Sequence, residues 1–183
     1  MDSELENRLV AKCKEKDGNA FRLLCRDYQK SLSTYLFRMC WNDEITKDLL
    51  QETLIKAWKG IGKYNHQSKF SSWLFSVAHN VAIDFLRKNK KSIEVTERIN
   101  IDGVSSGNNG LYEIENSELH ERINSAIISL SDKQREVFLI RQHSGMTFKE
   151  IAAQMNEPLN TVLSHMNYAV KKLKKELRDI YVG

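Results

Sequence analysis

Phe21, Leu24, Tyr28, Leu32, Tyr35 and Met39 step along the chain by three and four residues, so one face of a helix collects all six. A strand, with its period of two, would scatter them over both faces. The same spacing returns in Ile45, Leu49, Leu50, Leu54, Ala57 and Ile61, and again in Leu74, Val77, Val81 and Phe85. A single proline interrupts the 183 residues, and 41% hydrophobic content is enough for real cores. The expectation is an all-α chain.

Punctuation divides the helices. Residues 1–16 suit a short helix on Leu5, Leu9 and Cys13, with Gly18 after Asp17 as a left-handed cap. Trp41-Asn42-Asp43 reads as a turn, Gly60 and Gly62 end the next segment, and Ser71 or Ser72 is a good N-cap for the one after. That helix runs into the basic string Arg87 to Lys91, where a first domain, residues 1–91, closes. Residues 92–116 carry Gly103, Gly107 and Gly110 among Ser, Asn and Asp, as expected of a flexible connector. Helical spacing resumes near Ile114 and opens a second domain, residues 117–183.

Charge follows the same division. Residues 1–90 hold 16 Lys/Arg against 11 Asp/Glu, residues 91–130 hold 3 against 7, and residues 131–183 hold 9 against 6. Two basic blocks flank an acidic connector, so two separate contacts with a polyanion are expected.

Ser131 with Gln134, and Thr147 with Glu150, form capping-box patterns, and Gly145 lies between the helices they open. Phe148, Ile151, Ala152 and Met155 mark the inner side of a short helix, and Asn156-Glu157-Pro158-Leu159 a tight turn. Asn160 or Thr161 caps the next helix, whose buried stripe is Val162, Met166, Val170, Leu173 and Leu177. Small Ala152 permits a close crossing and Val162, ten residues on, fills the angle: a helix-turn-helix. Its outer face displays Asn160, Thr161, Ser164, His165, Asn167 and Tyr168, which suit base edges, while Lys171, Lys172, Lys174, Lys175 and Arg178 suit phosphates. The plainer reading is a hairpin with a solvated polar face.

A second constellation lies in the first domain. Tyr64, Phe70, Trp73 and Phe75 alternate with Lys63, Lys69 and the hydroxyls of Ser71 and Ser72, ahead of a helix bearing Asn80, Asp84, Arg87 and Lys88. Rings stack on unpaired bases while cations hold the backbone. Equally, Trp73 and Phe75 fit a core, and Asp84 fits a pair with Arg87 or Lys88 along its own helix.

These residues carry a family resemblance. Asp48-Leu49-Leu50-Gln51-Glu52-Thr53 to Trp58, Phe70 to Leu74, Ala78-His79-Asn80 and Asp84 to Arg87 resemble region 2 of bacterial sigma factors. Leu130-Ser131-Asp132-Lys133-Gln134-Arg135-Glu136-Val137-Phe138, Glu150-Ile151-Ala152 and Thr161 through Ser164 resemble region 4 of the extracytoplasmic-function (ECF) subfamily of sigma-70 proteins. The resemblance covers about residues 19–91 and 117–178, in the expected order and without regions 1 and 3. It implies that residues 1–91 dock on core RNA polymerase and recognise and melt the −10 element, and that residues 117–183 read the −35 element. Asp48, Gln51, Glu52 and Trp58 then fall in the core-binding helix, and Phe70, Ser71, Ser72, Trp73, Asn80, Asp84 and Arg87 in the −10 reader, where Lys69 and Lys88 flank them. Leu163 and His165 stand where the family commonly has basic residues, and Asn156 and Asn160 where glycine is frequent. Core polymerase and promoter DNA are the implied partners, with room for an anti-sigma factor.

Other classes fit less well. Cys13, Cys25 and Cys40 are widely spaced and odd in number, which indicates buried thiols rather than a zinc, redox or disulfide motif. There is no HExxH, no nucleophile elbow and no phosphate loop, Gly60-Ile-Gly-Lys being too short, so neither catalysis nor a cofactor or small-molecule substrate is expected. The lone His66, His79 and His120 read as surface or packed side chains. Apolar runs such as Val137 to Ile140 are too short to span a membrane, and the polar N-terminus is no signal peptide, which places the chain in the cytoplasm. A helix-turn-helix regulator that does not join polymerase would leave the first domain without a role, and a helical protein-binding adaptor would leave the basic blocks without one.

Overall fold

The computed structural model describes residues 3–65, 69–100 and 117–178. Every regular element among them is helical: α1 (Ser3–Lys14), α2 (Gly18–Cys40), α3 (Asp43–Gly60), a 3-10 turn (Ile61–Lys63), α4 (Phe70–Asn100), α5 (Ser117–Ile128), α6 (Asp132–Ser144), α7 (Phe148–Met155) and α8 (Leu159–Glu176). Contacts group Met1–Gln67 with Ser76–Tyr112 in one unit and Ser68–Phe75 with Glu113–Gly183 in another.

In the first unit α2 packs on α1 and α3. Leu24, Leu32, Tyr35, Leu36, Ala57, Ile61, Ala78 and Ala82 are sealed from solvent, and each large aliphatic among them contributes roughly 1.5–3 kcal/mol by its burial. The buried Tyr35 hydroxyl lies 3.0 Å from Nδ1 of buried His79, which satisfies both polar groups between α2 and α4. His79 is thus a packed histidine and His120 a surface one, while His66 lies outside the described residues.

The break between α1 and α2 differs in one respect from expectation. Lys16, not Gly18, takes the left-handed conformation, with φ 69°. Asp17 N–H reaches back to the Lys12 carbonyl at 3.1 Å, closing the six-residue loop typical of such helix ends. Gly18 begins α2 instead, because Oδ1 of Asp17 accepts from Asn19 N at 2.9 Å and Ala20 N at 3.0 Å and so caps the new helix one residue earlier. The next break uses Trp41 at φ 52°, followed by Asn42, whose Oδ1 accepts from Ile45 N at 3.0 Å.

Two further expectations shift. Neither Ser71 nor Ser72 is an N-cap: α4 starts at Phe70, and the Lys69 carbonyl takes the first backbone hydrogen bond, from Trp73 N at 3.1 Å. The helix also continues to Asn100, so residues 92–100, read as the start of the connector, are helical; residues 101–116 lie outside the described residues.

In the second unit α6, α7 and α8 pack on one another around Val137, Leu139, Ile140, Ile151, Val162 and Ala169. Gly145 ends α6 at φ 73°. Gln134 Oε1 accepts from Ser131 N at 3.3 Å. Thr147 and Glu150 form the reciprocal box: Glu150 Oε2 accepts from Thr147 N at 2.7 Å, and Thr147 Oγ1 accepts from Glu150 N at 3.3 Å.

Candidate nucleic-acid and partner interfaces

The angle between α7 and α8 is built by the backbone. Asn156 is left-handed at φ 54°; its N–H points to the Ala153 carbonyl at 3.3 Å, and Glu157 N–H to the Ala152 carbonyl at 3.0 Å. The two bonds close the helix end around Asn156, whose short polar side chain tolerates the left-handed conformation. Asn160, the other position where glycine is frequent, is simply helical. The cap of α8 is Pro158, whose carbonyl accepts from Thr161 N at 3.0 Å and Val162 N at 3.2 Å, so Asn160 and Thr161 are first-turn residues rather than caps.

Helix α8 then sorts its side chains. Val162, Ala169 and Leu173 are buried; Met166, Val170 and Leu177 of the expected stripe are only half-buried, and Ala169 takes the central position because a methyl group permits closer approach. Asn160, Ser164, Asn167, Tyr168, Lys171 and Lys172 are exposed, while Thr161 and His165 are half-buried. Ser164 Oγ donates to the Asn160 carbonyl at 2.8 Å, and Tyr168 is 60% exposed. Lys172 Nζ donates to the carbonyl of Ser129.

An acidic residue absent from the expected face lies beneath it. Glu157 Oε1 is 3.0 Å from Lys133 Nζ, and Glu157 Oε2 is 3.5 Å from His165 Nε2. Burial pulls the Lys133 ammonium down, but Glu157 and Glu136, hydrogen-bonded and oppositely charged, outweigh it and hold its pKa above the usual value.

The segment from Lys69 to Lys88 divides by burial. Lys69, Asn80, Arg87 and Lys88 are exposed, Ser71, Trp73 and Asp84 half-buried, and Phe70 and Ser72 buried. Phe70 and Trp73 lie 5.5 Å apart, ring to ring. Within the second unit, Ser71 Oγ and Ser72 Oγ donate to the Ser144 carbonyl at 3.1 Å and 3.4 Å. Phe75 is buried and stacks on His143. Arg87 Nη2 pairs with Asp84 Oδ1 at 3.0 Å, one turn away.

On α3, Asp48, Gln51 and Glu52 are exposed, and Glu52 pairs with Lys56 at 2.7 Å. Beside them opens an apolar groove of about 440 Å³ lined by Phe21, Lys47, Leu50, Gln51, Leu54, Ile55 and Trp58. The Trp58 ring is held by Phe21 at 5.1 Å and by Lys16 Nζ, 5.5 Å from its centroid. Leu50 and Leu54, four apart and four before Trp58, form a second apolar stripe beside the buried Leu49, Thr53 and Ala57. A second apolar stripe beside the buried one is the signal in the sequence for this groove.

Among the described residues no cluster of three or more His, Cys, Asp or Glu is placed to hold a metal ion, and no helix is long and apolar enough to cross a membrane. The three cysteines are free, Cys13 and Cys25 buried and Cys40 partly so.

Fold and sites define a two-part helical protein with a helix-turn-helix in one part and an apolar, acid-rimmed helix face in the other. The Sigma-70 region 2 profile matches residues 24–92, and that of Sigma-70 region 4 matches residues 126–175. The chain belongs to the sigma-70 family, within its extracytoplasmic-function subfamily. It is 27% identical to the ECF RNA polymerase sigma factor SigW of Bacillus subtilis over 93% of this chain and 96% of that one. Against the ECF RNA polymerase sigma-E factor of Escherichia coli K12 the identity is again 27%, over 94% of each chain. In fold it is similar to RpoE of Bartonella quintana, solved with the anti-sigma factor NepR, at TM-score 0.66 and 22% identity over 86% of this chain and 96% of that one. CnrH, solved with the cytosolic domain of CnrY, gives TM-score 0.65 and 19% identity over 96% and 98%.

Proposed function

We propose the following division of labour for this sigma factor. The α3 face, with Asp48, Gln51, Glu52 and Trp58, docks on core RNA polymerase. Lys69, Phe70, Ser71, Ser72, Trp73, Asn80, Asp84, Arg87 and Lys88 capture and open the −10 element. Asn160, Thr161, Ser164, His165, Asn167 and Tyr168 read −35 base edges, while Lys171 and Lys172 hold phosphates. The observation that carries the reading is the outer face of α8, short polar groups followed by exposed lysines on the second helix of a helix-turn-helix. A helix-turn-helix regulator acting without polymerase would leave the α3 groove unused.

No catalytic step belongs to the chain in this reading: it acts in the cytoplasm as a subunit. An anti-sigma partner is included, supported by the similar fold of RpoE, which was solved with the anti-sigma factor NepR. Run-off transcription from a panel of promoters, with purified core polymerase and a known sigma factor in parallel, tests the whole; absence of any transcript would refute it. The −10 assignment is tested by Trp73→Ala, which should leave closed-complex formation while removing permanganate-reactive thymines. Loss of both together with the thermal transition would make Trp73 a core residue, whose removal costs roughly 3–5 kcal/mol.

A further inference from the structure

Glu157 occupies a position that the turn holds still. It follows the left-handed Asn156, and its N–H is bound to the Ala152 carbonyl at 3.0 Å. Its side chain is 19% exposed and reaches both neighbouring helices, Lys133 of α6 through Oε1 and His165 of α8 through Oε2. The two oxygens differ. Oε1 is 3.0 Å from an ammonium, whereas Oε2 is buried with no hydrogen bond and has the imidazole Nε2 facing it at 3.5 Å. Lys133 also shares its charge with Glu136, at 3.2 Å, so it answers the Glu157 carboxylate only in part.

A carboxylate accepts and never donates when ionised, so a ring nitrogen facing it is favoured with its proton on. In histidine the partner of one nitrogen decides which of the two carries the proton and how the ring is turned. We propose that Glu157 is a positioning residue for −35 reading: it keeps the proton of His165 on Nε2, fixes the ring, and leaves Nδ1 as the atom that meets a base edge. This rests on the assignment of α8 to the −35 element. It adds a specificity-determining residue that does not itself lie on the DNA-facing surface, and it gives His165, which replaces a basic side chain, a defined hydrogen-bonding atom.

The test uses the full chain. Ring 15N spectra of His165 in the free protein report which nitrogen is protonated, and holoenzyme binding to all single-base variants of a −35 element reports the ranking. Glu157→Ala is expected to lower the Nε2-protonated fraction and to reorder −35 variants by about fivefold or more, the change one base-edge contact makes. His165→Ala should give the same reordering, and the double variant no more than either alone. Glu157→Gln, which keeps volume and one acceptor, guards against misfolding and should give a smaller change of the same kind. Equal weakening on every −35 variant with an unchanged ring spectrum would make Glu157 a brace and overturn the proposal. So would a ranking indifferent to His165→Ala, in which case promoter-dependent transcription persists and base reading lies elsewhere on α8. If no promoter is transcribed at all, the −35 assignment itself fails and takes the proposal with it, an outcome distinguished by the transcription control.

Discussion

Lys172 of α8 donates through its ammonium to the carbonyl of Ser129, just past the end of α5. That carbonyl, on the residue following the last turn, has no partner within the helix, and a cation is the favoured donor at a C-terminus. Its neighbour Lys171 is exposed. The two lysines, equivalent in sequence, therefore have different work in the free protein.

Lys171→Ala should weaken binding to every −35 sequence alike and reduce the slope of log affinity against log salt by about 0.9, the loss of one phosphate contact. Lys172→Ala should change the slope less and lower stability by about 0.5–1.5 kcal/mol, read by denaturant titration. Identical behaviour of the two variants would show that the bond to Ser129 is not maintained in solution.

Asp48→Lys with Glu52→Lys should lower affinity for core polymerase, measured by competition with a labelled sigma factor, while the circular-dichroism melting curve hardly moves. Both side chains are exposed, and the Glu52 to Lys56 pair at 2.7 Å is half open to solvent, where such pairs contribute roughly 0–1 kcal/mol. Core affinity equal to that of the unaltered chain would remove the acidic rim from the docking face.

Asn156→Ala should destabilise the second unit by about 1–2 kcal/mol, because an ordinary side chain at φ 54° is strained, whereas Asn156→Gly should be tolerated. Denaturant unfolding of the whole chain, followed by far-ultraviolet circular dichroism, measures both. A well-tolerated alanine would mean that the turn relaxes to another conformation.

Burial raises the thiols of Cys13 and Cys25 from 9.0 to about 11 and about 12. The negative charges of Asp17 on Cys13, and of Cys13 on Cys25, add to the effect. A thiol that ionises more readily unfolded than folded favours the fold at neutral pH, and that contribution is lost as pH climbs from about 9 toward 11 or 12. Stability should therefore fall across this range, less steeply in Cys25→Ala, and native thiols should react slowly with alkylating reagents at pH 8. Fast labelling of Cys13 and Cys25 in native protein would contradict their burial.

What could be read from residues alone was whatever neighbours in sequence settle between themselves. Thr147 and Glu150 meet because a helix brings residues three apart together, and Gly145 turns left-handed because it lacks a Cβ, Asn156 because its short polar side chain tolerates it. Where such local choices compete, sequence is ambiguous: Asp17 caps α2 and leaves the left-handed residue to Lys16, and Pro158 takes the cap of α8 and leaves Asn160 and Thr161 in its first turn. Helix α4 likewise runs past its basic string, since Lys and Arg favour helix continuation as much as they mark an end.

The helices, the helix-turn-helix and the polar face of α8 are legible in the chain alone, because spacing, capping and backbone freedom act over a few residues. Packing, by contrast, brings Glu157 to His165 and Lys133, Lys172 to Ser129, and Leu50, Leu54 and Trp58 to Phe21 in a groove. Those pairings join residues up to several helices apart, and their distances depend on how helices cross, which is set by the summed packing of side chains such as Ala152, Val162 and Ala169 rather than by any short stretch of chain.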